Sequence, residues 1–394
     1  MPDAAAQSVG RPELFYRFDH LDALMDEAGI DVLVASSPHN VGYLVGHYEF
    51  SYFSAMEALG ESRHWPAFVY ARGRPDETLY VGNRIESETH AATPFWMPHV
   101  VAKGWTAWEN ADTVVDHLRR HGHATARVGF ELPFLPIEVA ERIGRDLPHI
   151  ERRDATRMLH LLRMVKHSDE LVLLREGSER IVDAIAETIR DSSEGTTKVD
   201  LNDRLRRAVQ SRDVRFGYAL VTFGASHNRA LFSRALADGE AISVDCGSDR
   251  AGYIADVTRM GSPSEPDAEL EDLLGRVERV QQAAFARIRP GAPGSAFIRA
   301  ADAVLPQDVP SEFSAHGMGL VAHEAPFLMT NRPVTYEGVD SERPLEAGMV
   351  LSVETTMKHP RGLIKLEDTV AVTADGCEIY GGERGWIVAK GASA

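Results

Sequence analysis

The chain has 394 residues, 44% hydrophobic, 26% charged and 8% aromatic, which is more than one ordinary core needs and points to two domains. Lys and Arg number 42 against 59 Asp and Glu, and the formal charge of −17 excludes a phosphate-backbone binder, whose surface must be positive. No apolar run approaches the ~18 residues of a membrane span. The opening MPDAAAQSVGRPE lacks the basic start and apolar stretch of a secretory leader, and Cys246 and Cys377 cannot build a disulfide framework, so a cytoplasmic protein is expected.

From Arg17 to Gly29, Phe18, Leu21, Leu24, Met25 and Ala28 recur at helical spacing, and Gly29 suits the helix end. IDVLVAS reads as a buried strand and Pro38-His39-Asn40 as the turn after it. AFVYA (67–71), the turn-rich GRPDE and TLYVG (78–82) make a hairpin. Helices are expected at 114–122 and 137–144, with strand RVGFE between them. Beyond Arg152 the sequence RRDATRMLHLLRMVKHS turns basic, and Ser168 caps a helix with Asp169 and Glu170 in its first turn. These features predict an α/β domain over 11–157 and a second domain over 158–394, with helices at 198–210 and 268–288 followed by strands.

The second domain carries the chemistry. GEAISVDCGSDRAGYIADVTRMG reads as a hairpin in which Ile242, Val244 and Cys246 face one way and Ser243 and Asp245 the other. A two-residue loop at Arg250-Ala251 sets Asp245 directly opposite Asp256, an arrangement that like charges make unfavourable. Something positive should lie between them. GMVLSVETTMKHPRGLIKLEDTVAVT repeats the pattern: pairing about Pro360-Arg361 sets Glu354 opposite Glu367, with Leu363, Lys365, Glu367 and Thr369 on one face. Between the hairpins FSAHGMGLVAHEAP places His316 and His323 in a Gly-rich segment. Four carboxylates and an imidazole have the capacity for two divalent ions, and an oxygen-rich set suits Mn²⁺, Fe²⁺ or Co²⁺.

At these residues the sequence resembles the pita-bread metallohydrolases: methionine aminopeptidase, aminopeptidase P, prolidase and creatinase. The ligand order Asp, Asp, His, Glu, Glu appears in VDCGSDRAGYIADVTR, HGMGLVAHE, GMVLSVE and KLEDTVAVT. RFDHLDALMDEAGIDVLVASSPHNVGYLVG resembles the first domain of the creatinase–prolidase type, and LLRMVKHSDELVLLR the entry into its second. The resemblance implies an N-terminal α/β domain and an α+β pita-bread domain, a curved antiparallel sheet with pseudo-twofold halves. It implies a homodimer in which HYEFSYFSAMEALGESRHW (47–65) serves as a lid, with His47, Tyr48, Phe50, Tyr52, Phe53 and Trp65 shaping the pocket.

The resemblance further implies Asp245, Asp256, His316, Glu354 and Glu367 as ligands of two metal ions, Mn first, with Co, Fe or Zn as alternatives. A metal-bridged hydroxide would then attack an amide carbonyl, with Glu354 also taking the water proton and His323 meeting the tetrahedral intermediate. His227 or Asn228 would orient the scissile group: Asn228 stands seventeen positions before Asp245, where proline-specific peptidases carry histidine. Two other departures are Lys365, where those peptidases have Arg, and Thr355-Thr356, where Pro-Gly follows the glutamate. Lys cannot reproduce the planar fork of Arg. The expected activity is C–N hydrolysis of a short peptide, prolidase- or Xaa-Pro aminopeptidase-like. The alternative is a small non-peptide metabolite, as in creatinase, ectoine hydrolase or sulfoniopropionate lyase. A binding protein without catalysis is a third class, against which the complete ligand set argues.

Overall fold

The computed structural model describes residues 14–48, 58–231, 233–330 and 336–390. The chain divides into two compact units, Met1–Arg163 and Met164–Ala394.

The first unit is α/β. Helix α1 (Phe18–Glu27) buries Leu21 and Met25 and ends before Gly29, as its periodicity requires. Pro38-His39-Asn40 is not a turn but the start of α2 (Pro38–Val45). Ser37 accepts a hydrogen bond from the Asn40 N–H at 3.3 Å, and Pro38 occupies the first helical position, where no N–H is needed. The strands β1 (Val32–Ala35), β2 (Ala67–Ala71), β3 (Arg74–Asn83), β4 (His99–Gly104), β5 (Arg127–Phe130) and β6 (Glu151–Asp154) form a mixed sheet in the order β4-β3-β2-β1-β5-β6. Against it α3 (Ala107–Arg120) packs Ala111, Val114 and Leu118, and α4 (Ile137–Asp146) packs Val139 and Ile143, all meeting Val32, Val34, Val69 and Val128. Each such buried aliphatic side chain contributes roughly 1.5–3 kcal/mol.

Of the residues expected to shape a lid, Trp65 is a core residue of this unit. Tyr48 donates to Glu86 at 2.9 Å, and the His47 ring lies 3.9 Å from that of Phe15 with the planes tilted by 50°. Phe50, Tyr52 and Phe53 lie outside the described residues.

The second unit is the same arrangement written twice. Helices α5 (Ser168–Arg190) and α6 (Lys198–Gln210) precede β7 (Arg215–Phe223), β8 (Ile242–Arg250) and β9 (Tyr253–Ser262); α7 (Ala268–Phe285) and α8 (Gly294–Asp302) precede β10 (Ser311–Gly317), β11 (Val350–His359) and β12 (Gly362–Val372). The strands run in the order β10-β11-β12-β9-β8-β7, antiparallel throughout, so the two halves meet at β12 and β9. Short strands β13 (Cys377–Tyr380) and β14 (Ile387–Val388) pair with β12 and β9. The cap of α5 is His167 rather than Ser168: its ring accepts from the Asp169 N–H (3.4 Å), while Glu170 accepts from the His167 N–H (2.7 Å).

One face of this sheet is covered by helices. Ile181, Ile185 and Ile189 of α5 and Leu201 and Leu205 of α6 pack on Val244, Cys246, Ala255 and Val257. Leu273 and Val277 of α7 pack on Met357, Ile364 and Leu366. Cys246 is thus a packing residue, and burial pushes its thiol up to about 12. Strand alternation sends Asp245, Asp256, Glu354 and Glu367 to the other face.

Candidate metal centre

The glutamate hairpin has the expected register, His359 pairing with Gly362 and Glu354 with Glu367. The aspartate hairpin does not. Its loop is Ala251-Gly252, at φ +50° and +89°, so Asp245 pairs with Thr258 and Asp256 with Gly247. This turn is left-handed at both central positions, and a loop that includes Gly252 meets that with one strained residue where Arg250-Ala251 would have two. The shift is an even number of residues, so both aspartates stay on the expected face but stand diagonally rather than opposed.

Pairing across strands then assembles the site in two adjacent rows. Asp245, Thr258, Glu367, Glu354 and Ser314 are successive partners from β8 through β9, β12 and β11 to β10. In the neighbouring row Tyr218, Gly247 and Asp256 cross β7, β8 and β9, and Thr369, Ser352 and His316 cross β12, β11 and β10. The Thr369 hydroxyl donates to the Asp256 carbonyl at 3.4 Å and links the two parts. Asp256, His316 and Glu367 each offer a ligand atom, all within 4.8 Å of one another. Lys365 brings in the rest: its Nζ lies 2.7 Å from Asp245 Oδ2, 2.7 Å from Glu354 Oε2 and 2.8 Å from Glu367 Oε2.

Each carboxylate has a distinct environment. Glu367 accepts from Thr258 (3.0 Å) and Ser352 (2.8 Å). Burial works against its charge, yet Lys365, His316 and the Ser352 hydrogen bond hold it at about 2. Burial raises Asp245 to about 6 even with the Lys365 ammonium opposing. Asp256 is raised well above the carboxylate range by burial and by the charges of Glu367 and Asp245. Its Oδ2 accepts from the Tyr218 hydroxyl at 2.6 Å, and its buried Oδ1 has no hydrogen-bond partner among the described residues. A buried carboxylate oxygen without a partner is costly, and a cation relieves it. Asp256, His316 and Glu367 therefore fit a divalent ion by donor type, spacing and unmet demand.

Tyr218 was not legible as a site residue. It reaches Asp256 across β8 because position 247 is glycine: a Cβ there would stand 2.2 Å from the Tyr218 ring. His323 is exposed, with its ring stacked on His316 (centroids 3.7 Å apart, planes 17° apart). Loss of solvent on that side, with His316 and Lys365 nearby, lowers its pKa to about 4, so the ring is neutral near pH 7. Tyr336 stands 6.0 Å from His323 and 4.6 Å from Phe327, ring to ring, and burial and the Glu354 charge raise its hydroxyl to about 12. His227 and Asn228 are exposed on the segment after β7, and the Asn228 side chain accepts from the Ala230 N–H (2.9 Å) within that segment. The residue there that approaches the acids is Arg229, 4.0 Å from Asp245.

Behind the sheet, Arg259 and Asp368 form a fully buried ion pair at 2.8 Å, and Arg384 joins Asp368. Lys166 and Glu324, the latter adjoining His323, form another at 2.7 Å, with both side chains 1% exposed.

Residues 173–374 match the family model described as metallopeptidase family M24. The chain belongs to that family. Residues 17–165 match the creatinase/prolidase N-terminal domain, which makes it the two-domain type. A probable dipeptidase, PepE, from Mycobacterium tuberculosis (strain H37Rv) is 31% identical over 236 residues, 56% of this chain and 60% of that protein. The aligned part thus spans under two thirds of that relative. The creatinase of Bacillus sp. B-0618 is 25% identical over 380 residues, 90% of this chain and 86% of that one. A solved Xaa-Pro dipeptidase from Bacillus anthracis has the same fold, with a TM-score of 0.76 at 19% identity, covering 94% of this chain and 98% of that one. No described helix is long and apolar enough to cross a membrane.

Proposed function

We propose that this protein hydrolyses the amide bond of short peptides, as a dipeptidase of the prolidase type that requires a divalent metal, Mn²⁺ first. The observation that carries the reading is the unpartnered Asp256 Oδ1 beside His316 and Glu367, a cation-binding group on the face of a metallopeptidase sheet. The ligands proposed are Asp245, Asp256, His316, Glu354 and Glu367. Their capacity is two ions, one at Asp256, His316 and Glu367 and one at Asp245, Glu354 and Glu367. When bound, a divalent ion supplies Lewis-acid polarisation of the scissile carbonyl and acidification of water.

The chain's own groups do the remainder. Glu354 has a side chain 22% exposed, against 8% for Asp245 and 3% for Glu367, and so is the acid best reached by a water whose proton it accepts. Neutral His323 has one N–H to donate to the oxyanion that develops on the substrate. Tyr336 and Phe327 offer an aromatic wall, and Arg229 a guanidinium for a substrate carboxylate. His227 and Asn228 are proposed to orient the scissile group from the same segment as Arg229. A cytoplasmic homodimer completes the proposal.

A second reading keeps the fold and replaces the peptide with a small non-peptide metabolite. The creatinase relative and Lys365 favour it, since an ammonium buried among acids leaves no guanidinium fork at that position. Incubation of the Mn²⁺-loaded protein with Gly-Pro, Ala-Pro and non-proline dipeptides, beside creatine, ectoine and sulfonio compounds, separates the two. Dipeptide turnover abolished by chelation supports the first; turnover confined to a non-peptide compound replaces it with the second.

A further inference from the structure

The two cation positions of this pocket are not equivalent. The position between Asp256, His316 and Glu367 has an unpartnered oxygen and no cation of its own. The position between Asp245, Glu354 and Glu367 holds the Lys365 ammonium, 2.7–2.8 Å from an oxygen of each acid. The ammonium donates a hydrogen bond to Asp245 and makes ion pairs with Glu354 and Glu367. The lysine side chain is 4% exposed, so the charge is sealed in rather than hanging at the rim.

We propose that Lys365 is a built-in substitute for the second metal ion, so that this enzyme binds one divalent ion per chain, at Asp256, His316 and Glu367. The inference rests on the metal-dependent reading above and narrows it, leaving Asp245 and Glu354 to the ammonium rather than to a metal. A metal would stand ~2.0–2.2 Å from these oxygens, inside the cage that Nζ already fills. One divalent ion and the ammonium leave the four carboxylates with a single unmatched negative charge.

Lysine suits this task and arginine does not. Its ammonium is a compact point charge able to occupy a metal-sized hole, whereas a guanidinium is a flat fork that must lie alongside its acids. Lys365 is fixed by its place on β12, where it pairs with Thr356, two residues from Glu367 on the same face. Glu367 spans both positions, Oε2 toward Lys365 and Oε1 3.9 Å from His316 Nε2.

The test is a metal count with a spectrum. The full chain, stripped by chelator, reloaded with excess Mn²⁺ and desalted, is expected to retain one Mn²⁺ per chain with the electron paramagnetic resonance of an isolated ion. Lys365→Met, similar in length but uncharged, is expected to retain two, with the broadened signal of an exchange-coupled pair. Two coupled ions in the unsubstituted protein would overturn the inference and leave the metal-dependent reading intact. No retained ion would overturn that reading and the inference with it. If Lys365→Met fails to fold, Lys365→Gln is the second variant, and one ion in a folded neutral variant would also overturn the role given to Lys365.

Discussion

The two hairpins of the catalytic sheet have the same topology, each presenting two acids on the same face, but they solve the charge problem differently. The glutamate hairpin carries its own cation: Lys365 lies two residues from Glu367 and contacts both of its acids. On the aspartate hairpin, Asp245 shares that ammonium at 2.7 Å, whereas Asp256 does not touch it. Asp256 has the Tyr218 phenol on one oxygen and, among the described residues, no hydrogen-bond partner on the other. Unmet demand for a cation is therefore concentrated on Asp256, and the two hairpins differ in how far Lys365 reaches their acids. A repeated backbone does not impose repeated electrostatics; single positions such as Lys365 and Gly247 decide it.

Glu354→Gln gives the largest expected effect. Removing the group assigned to accept the water proton should lower kcat by about 10²–10⁴ with little change in KM. Unaltered steady-state kinetics would take that role away from the glutamate hairpin. Next is Asp368→Asn, behind the same hairpin, which strands the fully buried Arg259 charge and should cost about 3–5 kcal/mol. Urea denaturation reads it, and a loss below 1 kcal/mol would mean that the pair is not buried as described.

On the aspartate side, Tyr218→Phe removes the hydroxyl that orients Asp256 and should weaken metal affinity about 10–100-fold. Titration calorimetry with Mn²⁺ checks it, and unchanged affinity would show that Asp256 needs no such support. The smallest effect concerns the turn. Ala251→Gly should stabilise by about 1 kcal/mol, because glycine takes the left-handed conformation without the Cβ penalty. A destabilised variant would mean that Ala251 does not hold the left-handed conformation.

Much of the site was legible in the sequence because strand alternation is robust: Val244 and Cys246 on one face force Asp245 to the other, whatever the register. The glutamate register was readable because Pro360-Arg361-Gly362 offers a clear turn. The aspartate register differs from the expected one because SDRAGY admits two loops, and the glycine at 252 lets the turn be left-handed at both central residues with one strained position rather than two. Pro38 misled in the same manner: proline marks a turn or the first helical residue, and the Ser37 cap decides which. Tyr218 was out of reach because its link to Asp256 passes over a third strand, a non-local contact that local pattern does not encode. Lys365 was visible as a substitution, but the three acids it would touch were not.

Asp256, His316 and Glu367 are proposed to hold a divalent ion together. Anomalous diffraction at the manganese edge, from crystals of Mn²⁺-loaded protein, tests it directly. The expected result is a peak in bonding contact with all three side chains. A pocket without that peak, in crystals of a protein that turns over peptide in the presence of chelator, would contradict it.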